Sequence, residues 1–173
     1  MKTPLSLFFL TLLFNQLSCM QSSLYLKNNN VSFSPIMRGY IRQTFAMIKP
    51  DSIARENCPE AIKAIIGMNN LNIIAEKKLL LSREQAQALY QEHSGCEYFQ
   101  RLIDFITSGP VILMVLEGPF AGMKWRNLMG PSKPHEYQED TIRAIFGTDQ
   151  LHNAVHGADS ANAAQREIKL FFS

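Results

Sequence analysis

The stretch Thr44-Phe45-Ala46-Met47-Ile48-Lys49-Pro50-Asp51 decides how this chain is read. Residues 44–48 form a short apolar strand, and Pro50 halts it, because the ring removes a ladder donor and restricts the residue before it. A lysine is thereby left at a strand end. Its counterpart lies far downstream, where Asn153-Ala154-Val155-His156-Gly157-Ala158-Asp159-Ser160 runs an apolar strand into a helix start and sets an imidazole at the junction. A histidine beside a helix N-terminus, a lysine at a strand end and scattered arginines, with no phosphate-cradling glycine loop, describe a site for phosphoryl transfer.

Working outward, Ala61, Ile62, Ile65 and Ile66 repeat at helical spacing, and Gly67 reads as the close of that helix. Residues 72–81 read as a strand. Ser82-Arg83-Glu84-Gln85 opens a second helix, with a capping hydroxyl and an acid in the first turn. Across 98–107, Phe99, Leu102, Ile103 and Ile106 share one face, and Ser108-Gly109-Pro110 breaks that helix. Residues 111–116 form a buried strand, 119–129 a helix and 130–140 a polar loop; Ser160 caps a last helix that runs through Ile168. The order predicts an α+β domain, a ferredoxin-like βαββαβ sandwich in which helices pack on an antiparallel four-stranded sheet.

At 173 residues the chain fits one domain of ordinary size with an N-terminal appendage, which we place at 1–37, the domain occupying 38–173. A net charge of only +2 points to neither nucleic acid nor a membrane surface. Cys19, Cys58 and Cys96 are odd in number and widely spaced, which argues against a disulfide scaffold or a structural zinc site. Leu5 to Phe14 is an apolar run behind Lys2, too short to span a bilayer but long enough for a secretory signal core. Residues 1–50 contain no Asp or Glu, a trait of mitochondrial presequences. A mitochondrial leader is the first reading, a secretory signal the second and a plain disordered leader the third; translation from Met37 would leave the domain cytoplasmic.

The quoted Thr44–Asp51 start, Ser108-Gly109-Pro110, Trp125-Arg126-Asn127-Leu128-Met129-Gly130, Thr141-Ile142-Arg143 and Asn153-x-x-His156-Gly157-x-Asp159-Ser160 together resemble the nucleoside diphosphate kinase family, in its order and spacing, over roughly 42–172. Leu128-Met129-Gly130-Pro131 and Tyr90-Gln91-Glu92-His93-Ser94-Gly95 resemble its divergent type-six branch in particular, a branch associated with mitochondria. The resemblance implies transfer of the γ-phosphoryl group of ATP and other nucleoside triphosphates to nucleoside diphosphates, by ping-pong through a phosphohistidine at His156. It also implies magnesium carried in with the nucleotide and a homo-oligomer, a dimer that can build a hexamer.

The residues support this chemistry on their own terms. Donor and acceptor nucleotides cannot share one pocket, so a covalent relay is needed, and an imidazole nitrogen suits it. An isolated histidine at a strand end is more often a packed residue; Asn153, Gly157, Asp159 and Glu167 around His156 reverse that judgement. Glu167 can fix the ring's tautomer if the chain turns back at Ser160, the alternative being a solvated helix face. Charge spreading over the transferring group calls for fixed cations, for which Lys49, Arg126 and Arg143 are the candidates. By resemblance, Ser132 and His93 add phosphate donors, Asn153 meets the sugar and Tyr90 lines the pocket. Tyr98 stacks on the base or, alternatively, packs beside Phe99. Asp159 reaches magnesium through water.

Several positions depart from the family pattern. Ala158 replaces a usual serine, Ala144-Ile145 follow Arg143 where Gly and Asp are common, Gln150 stands where a small apolar residue covers the base, and Cys96-Glu97 lacks a proline approach. Nor does Phe172-Ser173 lead into the tail that often braces subunits. These departures leave open a second class of function, a weakly active or inactive member serving as a binding or scaffold subunit. Because 1–36 carries no motif of the site, a chain begun at Met37 is expected to fold, to transfer phosphate and to associate at least as a dimer. Light scattering and a transfer assay on that shortened chain test this; a monomer, or an insoluble product, would contradict it.

Overall fold

The computed structural model describes residues 41–173, so the predicted leader at 1–37 and the first residues of the predicted domain lie outside the described residues. Four strands make the sheet: β1 (Ile41–Ile48), β2 (Asn72–Leu79), β3 (Val111–Pro119) and β4 (Val155–Gly157). Their order is β2-β3-β1-β4 and each neighbouring pair is antiparallel. That is the ferredoxin-like arrangement read from the sequence. A pair of helices inserted between β2 and β3, α3 (Arg83–Leu89) and α4 (Phe99–Ile106), is its main elaboration.

Strand periodicity explains why helices cover both faces of the sheet. Phe45 and Met47 of β1 point into one apolar cluster with Leu89 of α3, Ile103 and Ile106 of α4 and Phe171 of α7 (Ala161–Phe172). Ala46 and Ile48 point the other way, against Ile62 and Ile66 of α2 (Cys58–Met68) and Trp125 of α5 (Ala121–Met129). β3 is buried on both faces from Val111 to Leu116, as expected of a central strand.

Local signals fix most of the ends. Lys49 adopts an extended N-cap conformation and Pro50 opens the short helix α1 (Pro50–Ile53). The expected cap at Ser82 is a full capping box: its side chain accepts from the Gln85 backbone, while the Gln85 side chain accepts from the Ser82 backbone. Ser160 likewise accepts from the Ala163 backbone to start α7, which continues to Phe172, beyond the Ile168 expected.

Other ends differ from the sequence reading. Gly67 lies inside the last turn of α2, and the left-handed residue that turns the chain afterwards is Asn70 (φ 55°). Asparagine tolerates that conformation through its short polar side chain. β2 ends at Leu79 rather than at Leu81, and β3 runs on to Pro119, so α5 begins two residues later than expected, at Ala121. Thr141, whose hydroxyl accepts from the Ala144 backbone, caps an unforeseen one-turn helix, α6 (Ile142–Phe146).

α7 carries its buried residues at Ala163, Ala164, Glu167 and Phe171, a single stripe that turns a carboxylate toward the sheet. On β4, Val155 joins the cluster around Trp125, so by alternation His156 emerges on the opposite face, opposite Met47 of β1. The fully buried Trp125 donates its indole N–H to the His156 carbonyl at 3.3 Å. A Cβ on Gly157 would lie 2.3 Å from that indole nitrogen, and the indole has no room to retreat. Gly157→Ala is therefore expected to destabilise the domain by about 1–3 kcal/mol through overpacking. Urea denaturation reads the change, and an unaltered midpoint would mean that the indole moves freely.

Candidate active site

The chain segment before His156 is held in a strained conformation. Ala154 has φ 68° without being glycine, which costs free energy unless the surroundings enforce it. They do so from the first motif: the Lys49 amide donates to the Ala154 carbonyl at 2.9 Å, and the Ala154 amide donates to the Asp51 carboxylate at 3.0 Å. The two stretches quoted at the outset thus meet here. The sequence reading gave Asp51 no role; its signal was its place directly after Lys49-Pro50.

His156 sits in a small aromatic cage. Phe45 approaches it edge-on at 6.0 Å between centroids and Tyr90 at 5.2 Å. Its Nε2 lies 3.1 Å from Oε2 of Glu167, whose side chain is only 4% exposed. This rules out the solvated-face reading of Glu167. With Nε2–H donating to the carboxylate, the lone pair of Nδ1 is the one left for chemistry.

Lys49 is buried and donates to Asn153 Oδ1 at 2.7 Å and to the Leu151 carbonyl at 3.2 Å. Burial, followed by the repulsion of Arg143, lowers its pKa to about 7, against the opposing pull of Asp51 and Asp149. Asn153 is buried as well, and its amide N–H donates to the Gln150 carbonyl at 2.7 Å, so in this structure the side chain anchors Lys49 to the 147–153 loop. Phe105 joins them, with His152 edge-on at 4.4 Å, a contact that no sequence pattern announced.

Arg143 donates to the Gly130 and Val155 carbonyls at 2.8 and 3.2 Å, and its Nε has no partner. Burial, then the charge of Arg126, disfavours its protonated form. The Tyr90 hydroxyl is also buried without a partner, and burial, then the Glu167 charge, raises its pKa. Unpaired buried polar atoms close to an imidazole mark a surface suited to an incoming polar group.

The remaining candidates are exposed or half-buried. Tyr98, 40% exposed, donates or accepts through its hydroxyl with His93 Nδ1 at 2.9 Å, and His93 in turn lies 6.1 Å from the Tyr90 ring. Tyr98 is therefore exposed beside His93 instead of packing in the core with Phe99. Arg126 and Asp159 are exposed and line a cleft of about 610 Å³ with Ala158 and Ser160. Ser132 is exposed in the loop after α5. Ala158 is buried and packs into the apolar cluster, its amide donating to Phe45.

Fold and site define an α+β domain that carries a carboxylate-backed imidazole, with the buried cations Lys49 and Arg143 on the neighbouring segments. Residues 42–173 match the family model described as "Nucleoside diphosphate kinase". The chain is 44% identical over 131 residues to the nucleoside diphosphate kinase of Oleidesulfovibrio alaskensis, covering 76% of this chain and 94% of that protein. It is 42% identical to that of Nitrobacter hamburgensis, over 77% and 94%. Among solved structures it resembles the Aquifex aeolicus nucleoside diphosphate kinase, with TM-score 0.72 and 34% identity over 77% of this chain and 96% of that one. It also resembles the halophilic enzyme of Halobacterium salinarum in complex with CDP, with TM-score 0.73 and 36% identity over 76% and 88%. The chain belongs to the nucleoside diphosphate kinase family, whose members are phosphotransferases.

Lys49 offers a test of the site's electrostatics. At about pH 8 its amine is mostly neutral in the free protein, and a polyphosphate beside it favours the ammonium form, so binding draws in a proton. Calorimetry of ATP binding in buffers of different ionisation enthalpy should show this uptake, and Lys49→Met should remove it; no uptake in the unaltered protein would place the phosphates away from Lys49.

Proposed function

We propose that the protein is an active nucleoside diphosphate kinase that relays the γ-phosphoryl group through His156. The observation that carries this reading is the Nε2 contact with buried Glu167, which leaves Nδ1 as the free nucleophile. In the first half-reaction the Nδ1 lone pair forms an N–P bond as the bond from phosphorus to the bridging oxygen breaks, and the diphosphate departs with that electron pair. The ring becomes cationic, and Glu167 stabilises it without taking its proton. A second diphosphate then reverses the step and leaves as triphosphate.

Lys49, Arg126 and Arg143 offset charge on the leaving and transferring oxygens, with the Tyr90 hydroxyl, His93 and Ser132 as further donors. Tyr98 supplies a face for the base and Asn153 holds Lys49 beside the sugar and phosphates. Among the described residues no group of three His, Cys, Asp or Glu side chains is placed to hold a metal. Magnesium would come in on the nucleotide, since the ion keeps few protein ligands. Asp159, exposed at the start of α7, is the carboxylate to reach it through water. The bound ion would supply charge neutralisation on the phosphates.

Within the family, Leu128–Pro131 and Tyr90–Gly95 support a reading near the type-six branch. The acid-free N-terminal stretch supports a mitochondrial leader, which N-terminal sequencing of the mature protein would reveal as a cut before the domain. For assembly, the supporting features are β2 at the edge of the sheet, with Ile74 exposed on it, and the exposed Met68 at the end of α2, which favour pairing with a second copy. Among the described residues no helix is long and apolar enough to cross a membrane.

Incubation with γ-labelled ATP should leave acid-labile phosphate on the protein, and His156→Ala should lose both the label and transfer while keeping its fold. Transfer activity retained in that variant would overturn the mechanism; an unlabelled, folded wild type would favour the binding-subunit reading instead.

A further inference from the structure

We infer that Arg166 is a positioning residue for His156, one that ties the substrate-facing helical hairpin to the carboxylate behind the imidazole. The inference rests on the reading of Glu167 given above. Arg166 precedes Glu167 on α7 but falls at the edge of the buried stripe, with its side chain 30% exposed. Its Nη1 donates to the Ala88 carbonyl at 3.3 Å, in the last turn of α3. Its Nη2 donates to Glu92 Oε1 at 2.9 Å and lies 3.6 Å from Glu167 Oε1. Glu167 therefore meets His156 with one oxygen and Arg166 with the other.

The groups joined in this way surround the pocket. Glu92 belongs to the 3-10 turn Gln91–His93, flanked by Tyr90, which packs on the imidazole, and followed by the His93–Tyr98 pair. One planar guanidinium thus bridges the turn that carries these residues and the carboxylate that fixes the ring, a geometry the fork of an arginine allows and a lysine ammonium does not. The two pairings are unequal: 2.9 Å is a charge-assisted hydrogen bond, whereas 3.6 Å is too long for one and acts through charge. Glu92 holds the guanidinium off Glu167, leaving that carboxylate to the imidazole.

A salt bridge with Glu92 half in water adds little to stability, so its loss should be read in the reaction and hardly in the fold. Without Glu92 the guanidinium closes on Glu167 and competes with His156. Without Arg166 one carboxylate oxygen is released, and the turn bearing Tyr90 and His93 loses its tie to α7. In both variants the effect on the carboxylate acts through Glu167, and that part is what the Glu167→Gln background removes and what separates it from a general loosening of the structure.

The test is the rate of phosphohistidine formation in a single turnover at saturating ATP, measured for Arg166→Met, Glu167→Gln and the double variant. We expect Arg166→Met to slow the step about tenfold alone and to add little in the Glu167→Gln background, the coupling typical of residues in one network. Arg166→Lys should recover part of the rate. Should Arg166→Met fail to fold, Glu92→Gln gives the same comparison: slower phosphorylation with Glu167 present, no further loss without it. An unchanged rate, or the same slowing in both backgrounds while the wild type labels normally, would overturn this role and leave the phosphohistidine reading intact. Absence of label in the wild type would overturn both.

Discussion

The peptide of Ala154 is the joint on which the rest of the site turns. Its left-handed conformation is unfavourable for alanine, and two hydrogen bonds from the end of β1 enforce it, one from the Lys49 amide and one to the Asp51 carboxylate. Through that joint the last turn before β4 is docked on the first motif, Val155 is driven into the core around Trp125, and His156 is left to emerge on the other face. A strand of only three residues could not fix the direction of a side chain by its own ladder. The clamp at one end and Gly157 against the Trp125 indole at the other do so.

Burial then divides the labour among the charged groups. Glu167 is buried with the imidazole Nε2 at one oxygen and the Arg166 guanidinium 3.6 Å from the other. Lys49 and Arg143 are both desolvated, which disfavours their protonated forms; the Arg143 charge adds to this at Lys49, and the Arg126 charge adds to it at Arg143. A site built from mutually repelling buried cations is unfavourable until an anion enters it, and the same repulsion becomes attraction for a polyphosphate. The acceptors that now hold them, the Leu151, Gly130 and Val155 carbonyls and Asn153, fix their positions without neutralising their charge.

Several of the candidate site residues come from the elaboration of the fold. The α3–α4 hairpin between β2 and β3 carries Tyr90, His93 and Tyr98, and it closes the sheet face from which His156 projects. A bare βαββαβ sandwich would expose that face. Side-chain contacts join this hairpin to the nucleophile's surroundings, among them the Tyr90 ring on the imidazole and the Arg166 guanidinium on Ala88 and Glu92.

Sequence alone determined what depends on local chemistry: the strand stopped by Lys49-Pro50, the helix opened by the Ser82 and Gln85 capping box, the buried run beginning at Val111, and the motif spacing that marked His156. Ends set by competition among neighbours were less legible. Gly67 looked like a helix stop and stays helical, because Asn70 can take the left-handed turn in its place. What only the tertiary structure decided is which charges are buried and whom they face. A glutamate three residues after Ala164 reads equally as surface or core until the stripe of α7 meets β1. The partners of Asp51, Asn153 and Arg166 lie 103, 104 and 74 residues away along the chain. Such pairings leave no periodic trace in a sequence, since they arise where separately formed elements pack together.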